Sequence, residues 1–132
     1  MNFWLIPLLL FVPVPPSAHS PDAVLERLAK TGVFALGPVG FARITSPGET
    51  DYKTVLNRSS ALEDFEKLLS TGNSQAKCYA LVAIHSLDPT RFADLAQPLR
   101  DSKETVTTMS GCVMSGETVG NVIKQIESGR FS

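Results

Sequence analysis

The chain has 132 residues, with 12 Lys and Arg against 13 Asp and Glu and a formal net charge of -1, so no long-range field draws it to nucleic acid or to anionic lipid. Its length supports one domain with its own core and too little chain for two.

Residues Met1 to Ser20 carry no charged side chain and hold an apolar run from Phe3 to Val14, followed by a small-residue stretch ending Ala18-His19-Ser20. This pattern reads as a secretory signal over 1–20. Cleavage after Ser20 would leave Pro21 as the first residue, a disfavoured outcome, so cleavage after Ala18 is the alternative. A membrane anchor needs about twenty apolar residues. The run is shorter than that, and Pro7, Pro13, Pro15 and Pro16 interrupt any helix through it. No cysteine near the cleavage point offers a lipid anchor. The expectation is a cleaved signal over 1–20, no transmembrane anchor afterwards, and a single helical domain over 21–132 that is secreted or periplasmic. Trp4 and His19 would leave with the signal, so the mature protein would lack tryptophan fluorescence.

The remaining chain is a series of short segments opened by capping residues and closed by Gly or Pro. Ser20-Pro21 opens the first, with Val24, Leu25 and Leu28 on one face and Gly32 at its end. Ser46-Pro47-Gly48-Glu49 is a capping-box pattern with Pro at the first helical position, leading into Tyr52, Val55 and Leu56. Ser60-Ala61-Leu62-Glu63 repeats that pattern before a stripe of Leu62, Phe65, Leu68 and Leu69 that stops at Gly72. Asn73 opens the most apolar segment, Tyr79 to Ile84 and Leu87, which predicts a central helix covered on several sides. Asp88-Pro89 starts the next, with Phe92, Leu95 and Leu99 inward and Pro98 ending or kinking it. Val119, Val122, Ile123 and Ile126 form the last stripe, closed by Gly129.

Two stretches break the helical pattern. Val33 to Ile44 is apolar and punctuated by Gly37 and Gly40, which predicts a minor hairpin or a packed loop. Thr105 to Val113 is rich in Thr and Val and leans extended, with helix as the competing outcome. The expected fold class is therefore mostly α: a small bundle of short antiparallel helices, with that possible exception near 33–44.

Between Ser60 and Leu99, the residues Leu68-Leu69, Gly72, Tyr79-Ala80-Leu81, Leu87-Asp88-Pro89 and Phe92 resemble one to two units of a helical-repeat array of the HEAT or tetratricopeptide kind. No second copy recurs at a fixed period, and such arrays need about three units to stand alone. The resemblance implies HEAT-like helical-hairpin packing and an interaction scaffold whose partner is protein.

Cys78 and Cys112 are expected to form a disulfide, because the compartment of an exported chain is oxidising. Closing a loop of about 35 residues would contribute around 3 to 4 kcal/mol. Buried free thiols packing as small hydrophobes are the alternative. His85 is the one histidine outside the signal; seven positions from Cys78, it lies about 10 Å further along a shared helix. That separation excludes a direct Cys78–His85 hydrogen bond, leaves Cys112 with His85 as the other conceivable pair, and favours His85 as a cation at a helix C-terminus.

Ser74-Gln75-Ala76-Lys77 and Lys30-Thr31-Gly32 match two motifs of penicillin-binding proteins and class A β-lactamases. Their order is reversed, the Ser-Asp-Asn element is missing and the chain is too short, so helix-start and helix-end roles explain both. No His, Cys, Asp or Glu spacing suggests zinc or calcium, and no glycine pattern fits a phosphate, so no metal or cofactor is expected. Asn57-Arg58-Ser59 is a glycosylation acceptor triplet, and Glu63, Asp64, Glu66 and Lys67 read as a solvated helix face. The functional expectation is an exported, non-catalytic binding or envelope-associated helical domain, with no catalytic residue and with Val33 to Ile44, through Phe34 and Phe41, as its contact region. The alternative is a small secreted hydrolase using Ser74 and Lys77 or a Cys-His pair.

Overall fold

The computed structural model describes residues 22–40 and 42–131. The expected signal over 1–20, the Ser20-Pro21 cap and Phe41 lie outside the described residues. In chain order the elements are α1 (Asp22–Ala29), α2 (Pro47–Leu56), α3 (Ala61–Thr71), α4 (Ser74–Leu87), α5 (Pro89–Ala96), a short 3-10 turn (Gln97–Leu99), β1 (Thr105–Ser110), β2 (Val113–Thr118) and α6 (Val119–Glu127). Among the described residues, six helices and one antiparallel hairpin make a mostly helical small domain.

Each helix forms because its apolar positions fall on one stripe, and α4 forms the middle because its stripe is widest. Residues Tyr79 to Ile84 are all buried, and α1, α3, α5, α6 and β1 pack on α4 from different sides. Ala76, Ala80 and Ala83 let those neighbours approach closely, while Tyr79, Leu81 and Ile84 fill the space between them. Fully buried Leu28, Phe65, Leu68, Val122 and Ile123 lie on the helices that pack against it. Each such side chain contributes about 1.5 to 3 kcal/mol, more than a typical cap at about 1 kcal/mol.

The caps nevertheless set the helix starts. The side-chain oxygens of Ser46, Asn73, Asp88 and Thr118 accept from the backbone N–H of Glu49, Ala76, Arg91 and Asn121 respectively. Two expectations are corrected here. Ser60 makes no backbone cap, because its hydroxyl donates to the Asp64 carboxylate at 2.8 Å instead. Glu49 does not complete its box; its carboxylate turns inward, accepting the Gly37 N–H at 2.9 Å and pairing with Lys53 at 3.0 Å. Helix α5 ends at Ala96, two residues before Pro98, as expected.

The Thr105 stretch is extended, and its partner strand runs to Thr118, beyond the segment that looked strand-like in sequence. Gly111, at φ +59°, opens the two-residue turn Gly111-Cys112 that joins the strands. The 33–44 segment is a packed loop with one isolated antiparallel contact, Val39 to Ile44, rather than a hairpin of paired strands. It runs along the outer edge of β1: Phe34 N–H donates to Thr107 O at 2.8 Å, Met109 N–H donates to Phe34 O at 3.3 Å, and Gly40 N–H donates to Gly111 O at 2.8 Å.

Candidate binding surface

The residues that sequence chemistry singles out are mostly committed to holding the fold. Ser74 is buried, and its hydroxyl donates to Thr105 O at 2.6 Å while also lying 2.8 Å from Gln75 Oε1. Gln75 Oε1 accepts the Thr107 N–H at 3.0 Å, and its amide nitrogen donates to Thr31 O at 3.2 Å. Asn73 donates to the same Thr31 oxygen at 2.8 Å. Asn73-Ser74-Gln75 is thus a polar clasp that fastens β1 and the end of α1 to the start of α4. It also explains Lys30-Thr31-Gly32, whose Thr31 carbonyl is the clasp's acceptor. Lys77 points to Glu104 at 3.1 Å, so its amine serves an ion pair.

The expected Cys78–Cys112 disulfide is not formed: Cys78 is a buried free thiol and Cys112 an exposed one. The reason is topological. The hairpin base meets α4 near Ser74, and the five strand steps from Thr105 to Ser110 carry the chain about 17 Å away before Cys112 is reached at the tip. Burial, reinforced by Glu104 and opposed by Lys77, pushes the Cys78 thiol up to about 12, which makes it inert. His85 sits in the last turn of α4 as expected, edge-on to Phe92 with ring centroids 4.8 Å apart. It is two turns from Cys78 and at the opposite end of α4 from the hairpin base, so neither Cys-His pair assembles.

The acidic face of α3 is not simply solvated. Glu66 accepts two bonds from Arg91, at 2.8 and 3.0 Å, which ties α3 to α5 and holds its carboxyl below the usual range. Asn57 of the glycosylation triplet is exposed, with its amide donating to Lys53 O at 2.9 Å.

Of the expected contact residues, Phe34 is buried. Ala35 and Val39 are buried too, and among the described large apolar residues of 33–44 Ile44, 58% exposed, is the most open to solvent, while Phe41 lies outside the described residues. The remaining large exposed apolar residues of the hairpin are Val113 and Met114, at 64% and 59%. Because Thr107 and Met109 spend their backbone groups on Phe34, strand alternation assigns the β1–β2 bonds to the pairs Val106 with Glu117, Thr108 with Ser115, and Ser110 with Val113. The N–H and C=O groups of Met114 and Gly116 therefore point off the open edge of β2.

This edge has little protection. It contains no Pro, no Lys and a single charge, Glu117, whereas natural edges are usually blunted by such residues. Met109 faces Met114 across the ladder and supplies adaptable, polarisable contact area. The signal was present in sequence as a Gly-x pair between two runs rich in Thr, Val and Met.

The chain matches no protein-family model, no curated protein and no solved structure. Its function is accordingly argued from this surface. Among the described residues no helix is long and apolar enough to cross a membrane, and no group of three or more His, Cys, Asp or Glu could hold a metal ion.

Proposed function

We propose that the protein is an exported, non-catalytic binding module that takes an extended polypeptide as an added strand on the free edge of β2. The observation that carries this reading is the pair of outward backbone groups at Met114 and Gly116 beside exposed Val113 and Met114. Backbone groups would supply affinity and the apolar side chains selectivity, as in other strand-addition sites. Export is supported by the uncharged, apolar leader pattern of residues 1–20. The role of a protein-binding scaffold agrees with the HEAT-like resemblance, and the engaged side chains of Ser74 and Lys77 together with the burial of the Cys78 thiol argue against the hydrolase alternative.

Selection of the mature domain against a displayed library of random peptides tests the idea. Enriched peptides should alternate apolar and polar residues, and Met114→Pro, which removes an outward N–H while sparing the β1–β2 ladder, should weaken them at least tenfold. Binding that ignores this substitution would refute strand addition. Concentration-dependent dimerisation abolished by Met114→Pro would assign the edge to a second copy of this chain instead.

A further inference from the structure

Two tyrosines of the core are treated very differently. The Tyr79 hydroxyl donates to Ala35 O at 2.8 Å and accepts from Ala35 N–H at 3.0 Å. Tyr52, on α2, is also buried, 7% exposed, with its ring tilted against Phe65 and Tyr79 at 5.6 and 5.4 Å. Yet its hydroxyl has no hydrogen-bond partner among the described residues. Buried phenols nearly always find one, so an unpaired hydroxyl at this depth calls for a partner from outside the chain.

Tyr52 lines a cavity of about 340 Å³ whose other walls are Val82, His85, Ser86, Ile126 and Phe131. The volume suits a ligand of roughly monocyclic size, at the lower end of small-molecule sites. The cavity walls are mixed, apolar at Val82, Ile126 and Phe131 and polar at Tyr52, His85 and Ser86. His85 and Ser86 add further polar groups, and neither side chain makes a hydrogen bond within the described residues. Burial, with Glu49 and Tyr79 nearby, pushes the Tyr52 phenol up to about 12, so it stays protonated and able to donate. Among the described residues, no Asp, Glu, Lys or Arg lines the cavity to balance a ligand charge, whereas a neutral oxygen accepting from the phenol needs no counter-charge.

We propose that the crevice between α2, α4 and α6 binds a small, uncharged molecule of mixed polarity, an apolar ring carrying one oxygen that accepts from the Tyr52 hydroxyl. The site uses none of the β2 edge, so it stands or falls separately from strand addition.

The test compares p-cresol with toluene, which has the same ring and methyl group but no oxygen, by following amide and methyl chemical shifts of the folded domain. p-Cresol should shift Val82, Ile126 and Phe131 in a saturable way and bind at least fivefold more tightly than toluene. Tyr52→Phe should fold normally and bring the two affinities within twofold of each other, while Val82→Phe should fill the space and abolish both. The proposal is overturned if neither probe shifts those residues up to its solubility limit, if the preference for p-cresol survives in Tyr52→Phe, or if saturable binding maps elsewhere. Marked destabilisation by Tyr52→Phe, with no probe binding to the native protein, would also overturn it by showing that the hydroxyl is satisfied within the fold.

Discussion

Replacing Tyr79 by Phe removes one oxygen and leaves every ring contact in place, which isolates the hydrogen bonds that join the 33–44 loop to α4. In the native structure that oxygen satisfies both backbone groups of Ala35, a residue 2% exposed, from a tyrosine that is fully buried. The variant strands a buried N–H and a buried C=O, each costing about 1 to 3 kcal/mol, so the total comes to about 2 to 6 kcal/mol before relaxation. Relaxation is restrained, because Phe34 is held on one side by β1 and Gly37 on the other by Glu49. The expected loss is therefore about 3 kcal/mol in urea unfolding followed by circular dichroism, with faster amide exchange at Ala35. Tyr52→Phe is the control: it deletes an oxygen without a partner and should change stability by less than about 0.5 kcal/mol. If the two substitutions cost the same, or if Ala35 stays protected in Tyr79→Phe, the reasoning about both hydroxyls fails.

Gly120→Ala should destabilise by about 1 to 3 kcal/mol even though helix propensity alone favours Ala by about 1 kcal/mol, because the new Cβ would lie 2.5 Å from Arg100 O and 3.1 Å from Ser102 O. A thermal melt that is unchanged or raised would refute this. Native protein should react with a thiol reagent through Cys112 alone, with Cys78 joining only on unfolding; no reactive thiol in the non-reduced native form would mean that a bridge exists after all. Stability should fall as pH rises from the ordinary thiol value of 9 towards about 12, since the unfolded chain releases the Cys78 proton at a pH where the folded chain still holds it. The thiol's share of the loss is about 1.4 kcal/mol per unit of pH, and Cys78→Ala should flatten the slope between about pH 9 and 10 in a series of denaturant midpoints, above which the raised phenols of Tyr52 and Tyr79 add a slope of the same sign.

The sequence determined the helices and most of their boundaries, because an apolar stripe at helical spacing needs only a face to bury. The stripes Phe65 with Leu68 and Val122 with Ile123, the centrality of Tyr79 to Ile84, and the stops before Pro98 and Gly72 are local properties of the chain. The candidate sites were less legible, since they depend on which residues meet across the fold. Ser74 and Lys77 carry a catalytic motif, but Thr105 and Glu104 arrive from thirty residues away and take both side chains. Cys78 and Cys112 look like a pair until the hairpin carries one of them outward.

Tertiary structure alone decided that Phe34 is core and Met114 surface, and that of two similar tyrosines one is fully bonded and the other faces a cavity. Periodicity records whether a residue has an apolar side to bury. Which backbone group or empty volume lies opposite it is fixed only when distant segments close on one another, and that is where both proposed binding sites arise.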